Sequence, residues 1–451
     1  MNTSDTICAP ATAVGGAITV IRVSGGKALE IGNMVWRGRH LLSVENRRRM
    51  LLGNVIDADG GVIDRAMAVY MPGPGSYTGD DVVELQCHGG ALTARKVLKR
   101  LESCGARPAE AGEFTFRAFV NGKLDLTQSE AVCDVISAGS DLAHHLAERQ
   151  LAGVLGRSLS EMRGELVDIL AECESRLDFS EENLDWQDNE LILARLRRVE
   201  GRIKKLIDSS RGGIILREGV RVVLAGRPNA GKSSLLNLLL GFDRAIVTEQ
   251  AGTTRDTIEE QLDLRGIPVK LIDTAGLRES DNQVEFIGIE RARKSLASAR
   301  VIFYLIDAAA VSEADWAEMH RALAGRKNAI VIWNKSDLAA AQPVPELPLP
   351  VVKFSTATGE GLDDLLDKFA AIIWADAPEL DNEMAVNARH LGHLTAAEGL
   401  MAELYPALEH EEYELCALQL RRVIDELGAI TGENADPDVL ENIFSRFCIG
   451  K

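Results

Sequence analysis

Four short runs in the chain carry the residue types that phosphate and guanine chemistry require. In RVVLAGRPNAGKSSLLNLLLG, the apolar stretch Val222 to Ala225 leads into Gly226, four further residues, then Gly231-Lys232-Ser233 and an apolar helical stretch. The glycines let backbone N–H groups from Asn229 through Ala230, Gly231, Lys232, Ser233 and Ser234 curl around phosphate oxygens. The Lys232 ammonium can reach the β and γ oxygens, and the Ser233 hydroxyl can ligate Mg²⁺. Asp273-Thr274-Ala275-Gly276 follows the strand-like VKLI, as expected for an aspartate coupled to Mg²⁺ and a glycine sensing the γ-phosphate. Asn334-Lys335-Ser336-Asp337 follows AIVIW, and Ser355-Thr356-Ala357 follows VVKF. The Asp337 carboxylate can accept from both N1–H and the 2-amino group of guanine, a pair that adenine does not offer. A glycine-rich turn alone would mimic the first run. Four runs in series, each after an apolar strand, do not arise from a turn.

Elements must hold these runs in place. From Gly219 to about Ala375, short apolar strands alternate with helices, the pattern of a parallel α/β sheet. The proline-rich PVPELPLP (343–350) inside this block reads as a loop before VVKFS. Residues 1–120 mix strand-like ITVIRVSG, AMAVYMPGPGSYTG and DVVELQCHGG with a helical ALTARKVLKRLESCG, so this part reads as α+β. Residues 121–218 and 376–451 are helical, with apolar residues every three to four positions. The organisation expected is a multidomain chain. An α+β domain over 1–120 is followed by an all-α domain, 121–218 and 376–451, interrupted by the P-loop G domain over 219–375.

Composition narrows the function classes. With 50 Lys+Arg against 68 Asp+Glu, the formal charge is −18, which disfavours non-specific coating of nucleic acid. A local basic patch such as Arg47-Arg48-Arg49, or a basic partner, can still meet RNA. Seven scattered cysteines form no CxxC pair, so no zinc site or disulfide framework is indicated, and a reducing cytoplasm is the compartment expected. Nothing at the N-terminus reads as a signal peptide, and the longest apolar runs are too short to cross a bilayer. His144, His145, His390 and His393 read as structural or solvent-facing, since no HExxH-type ligand set is present.

The nucleotide motifs resemble those of GTPases. Leu277 stands where Ras-like enzymes carry the glutamine that orients water, so another group must do that work. In GTPases similar to this one, an asparagine at the position of Asn229 marks potassium activation. Its implied K⁺ ligands are the Asn229 side chain and backbone carbonyls of Thr248, Gln250 and Thr253. The switch Thr248-Glu249-Gln250-Ala251-Gly252-Thr253-Thr254 would close on the nucleotide, with Thr254 the second protein ligand to Mg²⁺ and Arg255 and Asp256 following.

Outside the G block, SYTGDDVVELQCHGG, GEFTFRAFVNGKLDLTQSEAV, LREGVRVVLAGRPNAGKSS, VTEQAGTTRDTIEE, DTAGLRE and the terminal Phe447-Cys448-Ile449-Gly450-Lys451 resemble the MnmE (TrmE) family of tRNA-modification GTPases. The resemblance implies a tetrahydrofolate-binding N-terminal domain, a homodimer through that domain, and a flavin-bearing partner, MnmG. It carries folate contacts onto Arg22, Glu84, Lys123 and Lys451, a water-positioning role onto Glu285, and a role in tRNA modification onto Cys448. Against the family pattern, the loop Ala11-Thr12-Ala13-Val14-Gly15-Gly16 is one residue shorter and lacks a proline and a basic residue. The implied function is a potassium-activated GTPase that, with its partner, adds an aminomethyl-type group to C5 of the tRNA wobble uridine. A regulatory RNA-binding switch of ribosome assembly and a stand-alone folate one-carbon transferase are the alternatives. The first usually appends a basic RNA-binding module, whereas here the acidic EHEEYE stretch follows the G domain.

Overall fold

Strand-forming residues at alternating positions build the first sheet, and continuous apolar strands build the second. The structure, a computed structural model, describes residues 3–178, 188–242, 259–273, 296–375, 384–447 and 449–450. The chain divides into two units, one of residues 1–133, 156–163 and 427–451, the other of residues 134–155 and 164–426.

In the first unit, β1 (Ile7–Pro10), β2 (Ile18–Ser24), β3 (Trp36–Gly38), β4 (Leu51–Ile56), β5 (Val62–Met71), β6 (Val82–His88) and β7 (Arg107–Pro108) form a sheet of order β3-β4-β5-β6-β2-β1-β7. Neighbours are antiparallel except β1 and β7. The helices Ala28–Val35 and Ala91–Ser103 bury Ile31, Val35, Ala94, Val97 and Leu101 with Ile21, Val23, Leu85 and Trp36. Apolar residues three to four apart place one stripe of each helix in this core. The C-terminal segment belongs to the same unit. Phe444 stacks edge-on to Phe116 at 5.3 Å, and Phe447 lies 5.5 Å from Phe444. Ile449 bridges to Ala111, and Gly450, at φ +102°, lies where a Cβ would collide with the Pro10 carbonyl.

In the second unit, β8 (Val220–Ala225), β9 (Glu259–Leu264), β10 (Ile267–Asp273), β11 (Val301–Asp307), β12 (Ala329–Asn334) and β13 (Val351–Lys353) take the order β13-β12-β11-β8-β10-β9. All pairs are parallel except β9 with β10. Separate apolar clusters cover the two faces, one with Leu235, Phe303 and Phe369, the other with Tyr304, Met319 and Trp333. Burial on both faces explains why β11 and β12 read as unbroken apolar runs. The helix Asn189–Glu218 precedes this block, and Ala388–Glu409 follows it. The two pack together: the Tyr405 hydroxyl donates to Glu200 at 2.6 Å, and a Cβ on Gly213 would lie 2.9 Å from the Val386 carbonyl. The α/β block is therefore inserted within the helical part. Arg176 joins neighbouring helices by bonds to Tyr413 Oη (2.9 Å), Glu172 (2.9 Å) and Asn189 (2.6 Å).

Among the described residues no helix is long and apolar enough to cross a membrane. The segment 343–350 is irregular between β12 and β13, as its prolines require.

Candidate functional site

β8 ends at Ala225, and the chain turns at once into the helix Lys232–Phe242. Gly226, at φ +132°, passes so close to the Leu305 carbonyl that no side chain fits, and Gly231, at φ +102°, abuts the Asn334 amide. Asn229 takes φ 65° in the loop, with its side chain exposed. Lys232 is 8% exposed, and its Nζ donates to the carbonyls of Gly226 and Arg227 at 2.8 Å each. These bonds hold the ammonium over its own loop, and the exposed Ser233 and Ser234 open the helix. A turned loop, an oriented ammonium and a helix N-terminus together favour a polyphosphate.

The two base-side loops are tied to this cradle. Asn334, fully buried, donates from Nδ2 to the Ala230 carbonyl at 2.8 Å and accepts at Oδ1 from the Thr356 N–H at 3.0 Å. One amide thus fixes the phosphate loop and the Ser355-Thr356-Ala357 loop relative to each other. Ser355, also buried, accepts at Oγ from the Thr358 N–H at 3.2 Å, which tightens the turn. Lys335, at φ 62°, pairs with Asp307 at 2.5 Å, and Asp337 is exposed at the mouth. No motif marks Asp307 in the sequence. Its register opposite Asn334 across β11 and β12 is the signal that finds it.

Of the other nucleotide and metal residues, Asp273 is described by its backbone, paired with Leu224. Thr248, Glu249, Gln250, Ala251, Gly252, Thr253, Thr254, Arg255, Asp256, Thr274, Ala275, Gly276, Leu277 and Glu285 lie outside the described residues, as do Cys448 and Lys451.

The first unit holds a second polar cluster. Arg22 on β2 and Glu84 on β6 face each other in register and pair through Nε and Oε1 at 2.8 Å. The guanidinium carbon of Arg22 lies 5.5 Å from the Tyr77 ring and 5.6 Å from the Phe114 ring. These cation–π contacts orient it. Burial pushes the Tyr77 phenol up, opposed by the bond to Thr115 at 2.9 Å and by Arg22. Lys123 donates to the Pro74 carbonyl at 2.9 Å, bracing the loop that presents Tyr77. Tyr77 and Phe114 lie inside the motifs SYTGDDVVELQCHGG and GEFTFRAFVNGKLDLTQSEAV, yet nothing local to either announces the other.

The short loop 11–16 closes through Val20 N–H to Thr12 Oγ1 at 2.9 Å and Gly15 N–H to the Gly89 carbonyl at 2.8 Å. At the other end of β1, Arg117 and Glu113, both fully buried, pair at 3.0 Å, and Asp5 accepts from Arg107 (2.7 Å) and Arg117 (2.6 Å). The Arg107 bond leads in holding the Asp5 carboxyl below its usual range.

A family profile described as the MnmE helical domain matches residues 126–448, and one described as the GTP-binding protein TrmE N-terminus matches residues 6–123. The chain belongs to the MnmE family. It is 40% identical to the tRNA modification GTPase MnmE of Clostridioides difficile over 99% of both chains. It is 44% identical to that of Akkermansia muciniphila, again over 99% of both. Among solved structures, the G domain of the T. maritima FeoB iron transporter matches with 30% identity over 34% of this chain and 98% of its own, at a TM-score of 0.27. As an MnmE-family protein the chain is a GTP hydrolase with the multidomain architecture its motifs predicted.

Proposed function

We propose that this chain hydrolyses GTP to time the modification of a tRNA wobble uridine at C5, using a tetrahydrofolate one-carbon unit and a flavin-bearing MnmG-type partner. The observation that carries the reading is the pairing, in one chain, of a guanine-type nucleotide site with the Arg22–Glu84 cluster in the other unit.

In the G block, Lys232 meets the β/γ charge and Asp337 reads the guanine edge. Ser233, with Thr254, would hold Mg²⁺. Asn229, exposed on the loop, has an amide oxygen suited to K⁺, with carbonyls of Thr248, Gln250 and Thr253 completing the set. When bound, K⁺ supplies positive charge beside the phosphates, the role an arginine finger plays elsewhere. Glu285 and Arg255 are proposed to position water and to assist the switch.

The first unit suits a folate. Glu84 uses Oε1 for Arg22, and its Oε2 makes no bond among the described residues, so it can accept from a pterin's amide-like donors. Arg22 uses Nε alone among its described hydrogen bonds, which keeps both terminal nitrogens for a carboxylate. Tyr77, partly exposed, supplies a flat wall, while the fully buried Phe114 backs the Arg22 guanidinium. Lys123 and Lys451 are further candidates for the glutamate tail, and Cys448 for contact with the uridine. The folate's chemistry is to deliver one carbon; the chain's part is to hold and orient it. A homodimer, a cytoplasmic location and the domain limits 1–120, 121–218, 219–375 and 376–451 belong to the same proposal.

The test is titration of the full chain with 5-formyltetrahydrofolate. Micromolar or tighter binding that Arg22→Ala and Glu84→Gln each weaken at least tenfold, with GTP hydrolysis unchanged, is the expected result. No binding by the unaltered chain overturns the folate assignment.

A further inference from the structure

Charge is unevenly placed along the chain. Before Leu126 there are 15 Lys+Arg against 13 Asp+Glu; from Leu126 onward there are 35 against 55. Much of the early basic charge sits in two segments. The stretch 34–50 carries Arg37, Arg39, Arg47, Arg48 and Arg49 against Glu45, and the helix Ala91–Ser103 carries Arg95, Lys96, Lys99 and Arg100 against Glu102.

Hydrogen bonds join these segments to one another and to the Arg22–Glu84 cluster. Arg100 donates to the Met34 carbonyl at 3.4 Å, bringing the helix end to the start of β3. Asn33 exchanges two bonds of 2.9 Å with the backbone of Leu42, holding the following stretch beside the helix Ala28–Val35. Arg48 then donates through its backbone to the Tyr70 carbonyl (2.7 Å) and through NH2 to the Gly75 carbonyl (2.7 Å). Gly75 lies in the loop that Lys123 braces and that carries Tyr77 against Arg22. Arg37, Arg39, Arg49, Arg95, Lys96 and Lys99 are exposed and make no ion pair with the described residues. Unpaired, solvated cations in a connected strip are costly only through mutual repulsion, which a polyanion removes.

We propose that this strip, from the helix Ala91–Ser103 along residues 37–49 to Arg48 at Gly75, is a track for the sugar-phosphate backbone of the RNA substrate, ending beside the Arg22–Glu84 cluster and short of the carboxylates Asp80 and Asp81. The identification of that RNA as tRNA rests on the proposed function. The inference adds where the RNA lies and reconciles RNA binding with a chain of charge −18. The strip is confined to the first unit, so binding by the chain alone is local and salt-sensitive.

The test combines Arg37→Gln, Arg39→Gln, Arg95→Gln and Lys99→Gln in the full chain, with the same positions exchanged between Arg and Lys as a charge-preserving set. Fluorescence anisotropy with bulk tRNA from a strain lacking the gene is read between 50 and 200 mM KCl. Thermal melts and RNA-free GTP hydrolysis confirm folding. Each phosphate contact contributes roughly 0.9 to the log–log salt slope, so loss of four flattens it by about 3.6. The unaltered chain's advantage then shrinks by about 100-fold across that salt range. The charge-preserving set keeps the slope. Equal affinities and slopes for the neutralised and unaltered chains overturn the track, as does tighter binding of phosphatidylglycerol vesicles than of tRNA through the same residues. In the deletion strain, the unaltered chain restores wobble-uridine modification and the neutralised chain fails to. Restoration by both overturns the track alone, and restoration by neither overturns the tRNA reading on which it rests.

Discussion

Removing the Asn334 side chain should loosen nucleotide binding while leaving the first unit intact. In Asn334→Ala two buried partners are orphaned, the Ala230 carbonyl (2.8 Å from Nδ2) and the Thr356 N–H (3.0 Å from Oδ1). Each buried, unsatisfied backbone group costs about 1–3 kcal/mol, so the pair is worth about 2–5 kcal/mol after some relaxation. Both bonds link the phosphate cradle to the base-side loop, so the loss falls on the state in which the two loops are aligned for GTP. At 1.4 kcal/mol per decade, the lower end is about 30-fold in affinity. Asn334→Asp is a sharper probe. It retains an acceptor for Thr356 but presents an oxygen to the Ala230 carbonyl, and it should bind no better than the alanine variant. Displacement of a fluorescent GDP analogue, read by stopped flow, gives the affinity and the off-rate. With the other four tryptophans replaced by phenylalanine, fluorescence of Trp333, whose indole donates to the Gln342 carbonyl at 2.9 Å, reports whether β12 stays folded. A variant that keeps GDP affinity within threefold, with Trp333 undisturbed, would refute the claim that this amide couples the loops.

Other consequences follow from the same geometry. Gly226→Ala should abolish nucleotide binding, because its φ of +132° and the Leu305 carbonyl leave no place for a Cβ; wild-type affinity in equilibrium dialysis would contradict this. The GTPase rate should be higher in KCl than in NaCl and lose that difference in Asn229→Ala; equal rates in both salts for the unaltered chain would remove the potassium proposal. Because Asp5 is held below its unfolded value near 4, chiefly by Arg107, its stabilisation is present above that value and lost as pH falls through the folded value. Asp5→Asn should therefore flatten the acid limb of the first unit's unfolding, followed by Trp36 fluorescence with the other four tryptophans replaced by phenylalanine, and an unchanged limb would exclude that linkage. Burial pushes the thiols of Cys8, Cys87 and Cys173 up to about 12, so native alkylation at pH 8 should reach Cys104 and Cys133 before these three.

Sequence reading reached furthest where chemistry is local. Gly226, Gly231, Lys232 and Asn334 each announce themselves by spacing after a strand, and the parallel sheet follows from apolar runs alternating with helices. Long-range pairing was less legible. The resemblance carries separate roles onto Arg22 and Glu84, and only the β2–β6 register makes them partners across 62 residues. Asp307 closes an apolar strand and gains meaning only opposite Asn334. The pairing of Ile449 with Ala111 joins distant parts of the chain through a single bridge, which no periodicity encodes. The strand order β3-β4-β5-β6-β2-β1-β7 likewise departs from chain order, because β1 and β7 add beyond β2 at one edge.

The role of this GTPase in tRNA modification is tested most directly by nucleoside mass spectrometry. The gene is deleted, bulk tRNA is digested, and wobble uridines bearing C5 aminomethyl-type groups are quantified with and without the gene restored. These nucleosides should disappear on deletion, return with the unaltered chain, and stay absent with Gly226→Ala. Unchanged wobble nucleosides in the deletion strain would contradict that role.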